Sequence, residues 1–99
     1  MNKYSLEFDK KSSKEILSLD KNTREFILKE LEIFISNFNE DYEKELMKLA
    51  KIKALKGEFK GLYRLRLRTY RVIYEKNGDT LVILVLRVSH RKNVYNKSF

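Results

Sequence analysis

From Leu62 onward the hydropathy pattern of this chain changes period, and that change limits the folds open to it. Across Leu62 to Leu67 and Tyr70 to Glu75, apolar residues recur at every second position, the repeat of a strand with one covered face. Thr80 to Val88 reads as a third strand. Its stretch Leu81 to Leu86 is apolar throughout, as expected of a central strand covered on both faces. Asn77-Gly78-Asp79 joins the last two strands, because Asn and Gly tolerate the positive φ that a tight hairpin needs. A chain of 99 residues has room for one core, so a single domain over residues 1–99 is expected.

Upstream of the strands the period is mostly helical. Tyr4-Ser5-Leu6-Glu7-Phe8 still alternates and reads as a strand. Asp9 or Ser12 can then cap a short helix; Ser12 with Glu15 has capping-box spacing, and Ile16, Leu17 and Leu19 supply an apolar face. Asp20-Lys21-Asn22 breaks that helix, and Asn22 with Glu25 offers a second capping box. Ile27, Leu31, Phe34, Ile35 and Phe38 form one stripe of a second helix. Asn37-Phe38-Asn39 interrupts it, and Leu46, Leu49 and Ala50 belong to a further helical turn or two before the glycine-marked segment Gly57 to Gly61. The expected order is β-α-α-β-β-β. This is an α+β domain with two N-terminal helices packed on one face of a small, mainly antiparallel twisted sheet.

Charge divides along the same boundary. Residues 1–50 carry nine Lys/Arg against eleven Asp/Glu, whereas residues 51–99 carry thirteen against three. A basic half of this kind points to a polyanionic partner: nucleic acid, an acidic protein or a membrane surface. A basic face that serves only solubility is the bland alternative. There is no cysteine, so no disulfide framework or thiolate metal site is available, which suits a reducing cytoplasm. The longest apolar run, Leu81 to Leu86, is too short to span a bilayer, and Met1 to Tyr4 lacks the apolar stretch of a secretory signal. A soluble cytoplasmic protein without a membrane partner is the expectation.

If Arg68 and Thr69 form the turn between the first two of the late strands, Leu67 faces Tyr70, Leu65 faces Val72 and Tyr63 faces Tyr74. Those six side chains share a core face, and the other face receives Arg64, Arg66 and Arg71, with Arg66 opposite Arg71. Like charges across a ladder destabilise it, and a phosphate between them would convert repulsion into charge-assisted hydrogen bonds. Arg-Thr is a poor two-residue turn, because Thr resists positive φ; a longer turn would change the pairing. After the last strand comes Ser89-His90-Arg91-Lys92-Asn93-Val94-Tyr95. His90 is the only histidine, the residue type whose unperturbed pKa lies near neutrality, and with no second His and no Cys a metal site is not expected. RNA cleavage without a metal needs a base for a 2′-hydroxyl, cations for the charged phosphorane and an acid for the leaving 5′-oxygen. The arginines suit the second task, and His90 and Tyr95 are candidates for the others.

Taken in order, Leu62-Tyr63-Arg64-Leu65-Arg66, Tyr70-Arg71-Val72-Ile73-Tyr74 and Val88-Ser89-His90-Arg91-Lys92-Asn93-Val94-Tyr95 resemble the RelE/ParE superfamily of type II toxin–antitoxin toxins. Phe8-Asp9 and Leu55-Lys56-Gly57 agree with it. The resemblance covers essentially the whole chain and implies a RelE-like fold and a ribosome-dependent endoribonuclease that cuts mRNA without metal or cofactor. It also implies an antitoxin partner that lays an acidic or amphipathic helix over the sheet. Arg66, Arg71, His90, Arg91 and Tyr95 are the expected catalytic residues, and Arg64, Arg68, Lys60 and Lys92 the expected RNA contacts. RelE-like enzymes can carry lysine at the positions of Arg64 and Arg66. Arginine stays protonated and cannot act as base, so proton transfer must fall to His90 or Tyr95, or the activity is weakened. The ParE-like branch, which shares the fold but poisons DNA gyrase, is the alternative, as is a catalytically weakened relative that only binds.

Overall fold

The alternating segment Ser5–Phe8 forms the first strand, β1, and Asp9 caps helix α1 (Lys10–Leu17). The computed structural model describes residues 3–88, and of residues 83–88 the backbone alone. The Asp9 carboxylate accepts from the Lys11 amide at 3.2 Å. Ser12 is not the cap: it sits inside α1, fully buried, and its hydroxyl donates to the Asp9 carbonyl at 2.9 Å. The second cap is likewise an aspartate, Asp20, where the sequence spacing favoured Asn22. Asp20 precedes helix α2 (Lys21–Asn37) and accepts from the Thr23 amide at 3.2 Å. Hydrogen bonds from Thr23 hold the Asp20 carboxyl below its usual range. A carboxylate is a stronger acceptor and suits the positive end of the helix dipole, which outweighs capping-box spacing at both sites.

Asn37-Phe38-Asn39 interrupts the helical run, but a full third helix follows in place of a turn or two. In α3 (Glu40–Lys48) the Asn39 side chain accepts from the Tyr42 amide at 2.8 Å, and Glu40, Asp41 and Glu43 occupy the first turn, where the dipole favours carboxylates. Strand β2 (Ile52–Ala54) comes next, three residues long and too short for alternation to announce. A 3-10 turn (Gly57–Phe59) leads to β3 (Leu62–Leu67), β4 (Tyr70–Asn77) and β5 (Thr80–Val88). Among the described residues the order is therefore β-α-α-α-β-β-β-β, the expected α+β architecture with one more helix and one more strand.

The strands stand in the order β1-β5-β4-β3-β2, antiparallel except for β1, which runs parallel to β5. The all-apolar strand is thus interior, as its composition requires. Ile16, Ile27, Leu31, Phe34 and Phe38 from the helical half meet Leu65, Leu67, Val72, Tyr74 and Leu81 from the sheet in one core. Full burial of each such aliphatic side chain stabilises by about 1.5–3 kcal/mol. One carboxylate is buried with them. Glu43, 4% exposed, accepts from the Tyr74 hydroxyl at 2.7 Å and pairs with Lys76 at 2.8 Å, tying α3 to β4.

Candidate nucleic-acid interface

The turn between β3 and β4 has two residues, Arg68 and Thr69, and the register is the one alternation requires: Leu67 opposite Tyr70, Arg66 opposite Arg71, Leu65 opposite Val72, Tyr63 opposite Tyr74. Thr69 avoids the strain it would suffer because Arg68 takes the positive φ, 55°. A guanidinium contact offsets part of that cost: Arg68 lies over the Phe26 ring of α2, 4.5 Å from its centroid. This draws Arg68 toward the helical layer, away from Arg64, Arg66 and Arg71.

Those three share the opposite side of the sheet. Arg66 is exposed, and Arg64 and Arg71 are half-buried. Ile73, opposite Arg64 in register, is fully buried, so this side is more covered than alternation with arginine suggests. The end of α3 fixes two of the arginines. Ala50 follows the helix with φ 61°, the Lys51 amide donates to the Leu46 carbonyl and the Ala50 amide to the Met47 carbonyl, a Schellman closure with alanine where glycine is usual. The Ala50 carbonyl then accepts from both Arg64 Nη2, at 3.1 Å, and Arg66 Nη2, at 3.2 Å. A neutral acceptor orients the two guanidiniums without cancelling their charge. Arg64 Nε is buried and has no hydrogen-bond partner.

Strand register adds an arginine that alternation did not reveal. From the Gly78-Asp79 turn the β4–β5 pairing runs Asn77 with Thr80 to Tyr74 with Ile83, a count that would set Arg71 against Leu86. A bulge between Ile73 and Tyr74 shifts the count by one, and Arg71 pairs with Arg87. The backbone thereby aligns Arg66, Arg71 and Arg87 across three neighbouring strands. Bulges that re-aim a strand recur beside functional sites. Lys60 stands apart, at the end of β3 remote from the Arg68 turn. His90, Arg91, Lys92 and Tyr95 lie outside the described residues.

A five-stranded mixed sheet packed on three helices is the fold of RelE-like toxin structures. A chain of the toxin–antitoxin complex RelBE2 from Mycobacterium tuberculosis shares the fold with a TM-score of 0.64, at 23% identity, over 87% of this chain and 98% of that one. A chain of the archaeal RelE–RelB complex from Pyrococcus horikoshii gives 0.64 at 27% identity, over 90% and 98%. Toxin RelE3 of Methanocaldococcus jannaschii is 44% identical over 45 residues; the match spans 46% of this chain and 48% of that protein, about half of each. The family described as ParE toxin of type II toxin-antitoxin system, parDE, matches residues 6–95. The chain belongs to that family, within the RelE/ParE superfamily of type II toxins.

Proposed function

We propose that this toxin cleaves mRNA on the ribosome in the cytoplasm, and that a cognate antitoxin restrains it. The carrying observation is the row of like charges: Arg66 faces Arg71 across one ladder and Arg71 faces Arg87 across the next. A sheet that only had to fold would not align them. In this reading a phosphate enters the row, where Arg64 and Arg66 are already oriented by Ala50. The 2′-oxygen of the RNA attacks the adjacent phosphorus, the P–O5′ bond breaks, and the arginines stabilise the phosphorane charge. His90 or Tyr95 takes the 2′-hydroxyl proton and the other protonates the leaving 5′-oxygen, with Arg91 as a further cation for the phosphate and Lys92 and Lys60 as RNA contacts.

Supporting the antitoxin partner are the P. horikoshii and M. tuberculosis structures, both of toxin–antitoxin complexes. The test is induced expression followed by mapping of mRNA 5′ ends, with purified ribosome programmes as the in vitro arm. Cleavage at a fixed position in the codon, persisting in EDTA and abolished by a 2′-deoxy substitution at the cut, is expected. Growth arrest without new 5′ ends would overturn the reading. The family match favours a second reading, inhibition of DNA gyrase in the ParE-like manner, and loss of supercoiling activity without RNA cleavage would establish it.

A further inference from the structure

Positive charge on the arginine side does not stop at the arginines. Ile52 of β2 is buried, as is Leu65, its partner across the ladder, so the next residue, Lys53, stands opposite Arg64 on the other side of the sheet. The closure of α3 at Ala50 brings a second lysine there. The Arg66 amide donates to the Lys51 carbonyl at 2.9 Å, which puts Lys51 beside Arg66. Register therefore gives two basic rows: Lys53 with Arg64, and Lys51 with Arg66, Arg71 and Arg87. Both lysines are exposed, and among the described residues neither ammonium has a carboxylate within salt-bridge range. Glu7 and Glu75 share this side of the sheet but lie in the row of Leu62 and Val82, beyond Arg64.

We propose that Lys51 and Lys53 hold the substrate phosphate next to the one in the arginine row, so that the RNA leaves the site over the β2 edge. The proposal rests on the ribonuclease reading above. Adjacent strands stand about 4.8 Å apart, so a long side chain one strand from Arg66 can meet the next phosphate of an extended backbone. A path along the strands would instead carry the backbone toward Glu75 and Glu7. The change of residue type fits a change of task. Arginine's planar fork suits a phosphate that must be held in one orientation, whereas an ammonium on a flexible stem holds its phosphate as a point charge. Lysines on an edge strand also block edge-to-edge pairing. A strand of three residues is already a poor template, however, and blocking does not call for lysines beside arginines, where like charges weaken the ladder. A contact to a phosphate away from the cut is the same in ground and transition states, so these lysines act on KM and not on kcat.

The experiment measures the Kd of the purified full chain for ribosome-bound mRNA carrying a 2′-deoxy sugar at the cut, over a series of salt concentrations. Lys51→Gln with Lys53→Gln is expected to raise Kd about 10-fold and to lower the slope of log Kd against log salt by about 0.7, the share of one phosphate on a single strand. Lys51→Arg with Lys53→Arg keeps the charge and should stay within about two-fold of wild type, as should Lys29→Gln on the exposed side of α2. On cleavable mRNA the glutamine pair should raise KM by the same factor and leave kcat unchanged. Methylphosphonate, a neutral linkage placed at one phosphate at a time around the cut, identifies which phosphate is held. At a position next to the cut it should cost wild type about 10-fold and the glutamine pair nothing further. Losses that multiply at every position assign the lysines to ribosomal RNA and overturn the proposal. So do an unchanged Kd, a loss that the arginine pair does not restore, and a fall in kcat at unchanged KM. If wild type cuts this mRNA and the glutamine pair matches it in every measurement, the proposal alone fails. A wild-type chain that neither binds nor cuts it overturns the ribonuclease reading, and the proposal with it.

Discussion

The two sides of strands β3 and β4 treat charge in opposite ways. Toward the helices, the Glu43 carboxylate is matched by the Tyr74 hydroxyl and the Lys76 ammonium, and Lys76 also lies over the Tyr63 ring, 4.6 Å from its centroid. Tyr63 in turn stacks on Tyr74, centroids 5.3 Å apart. On the other side Arg66 faces Arg71, and the acceptor shared by Arg64 and Arg66 is an uncharged carbonyl. Charge near the core has been neutralised where it stands, whereas Arg64 and Arg66 share an uncharged acceptor and keep their charge. The first arrangement serves the fold; the second is what the proposed polyanionic substrate would engage.

The largest expected effect lies on the matched side. Glu43→Ala leaves a buried phenol and a half-covered ammonium without their acceptor, which should cost about 3 kcal/mol in urea denaturation. A loss below about 1 kcal/mol would mean that the network is incidental to how α3 is held. The arginine side should respond in the reverse sense. Arg66→Ala or Arg71→Ala should lower RNA cleavage about 100-fold while leaving stability unchanged or raising it by a few tenths of a kcal/mol, since a cross-strand repulsion is relieved. If either variant instead unfolds the domain as Glu43→Ala does, the contrast between the two sides fails.

A smaller effect comes from pH. Burial, and then the hydrogen bond to Glu43, raises the Tyr74 pKa above its ordinary 10.0. Burial acts to lower that of Lys76, but Glu43 outweighs it and the net shift is upward from 10.5. A group whose pKa is raised by folding contributes fully below its unfolded value and loses that contribution as pH rises through the folded one. Stability should therefore hold level to about pH 9 and fall beyond about pH 10, and Tyr74→Phe should flatten part of that decline. Identical alkaline slopes for the two proteins would remove Tyr74 from the account.

How much of this was legible in the sequence follows from which forces are local. The β3–β4 register could be read because Tyr63, Leu65 and Leu67 alternate on one strand and Tyr70, Val72 and Tyr74 on the other, and any slip would turn all six to the wrong face. The alignment of Arg87 with Arg71 could not be read, because it depends on a bulge within a strand whose side of every residue is apolar from Leu81 to Leu86. In such a run alternation carries no phase. β2 escaped notice for a related reason: three residues do not make a period. The cap at Asp9 was one of the two candidates legible in the sequence, whereas capping-box spacing pointed to Asn22 where Asp20 caps α2. Arg68 is an expected RNA contact, and its place over Phe26 could not be read from the sequence because it depends on a helix more than forty residues upstream.

The smallest effect concerns the join between the two sides. Ala50 closes α3 on the matched side and presents its carbonyl to Arg64 and Arg66 on the other. Its φ of 61° is a glycine conformation occupied by an exposed alanine, whose methyl group has no packing to justify it. A left-handed non-glycine residue costs about 1 kcal/mol, part of which glycine returns by loosening the unfolded chain. Ala50→Gly should accordingly raise stability by about 0.5 kcal/mol and leave cleavage within about two-fold, because the carbonyl that orients the arginines is kept. Ala50→Val retains the same carbonyl but cannot adopt the angle, so it should lose both stability and cleavage. A glycine variant that gains stability yet loses cleavage would show that rigidity at Ala50, and not the carbonyl alone, sets the arginines in place.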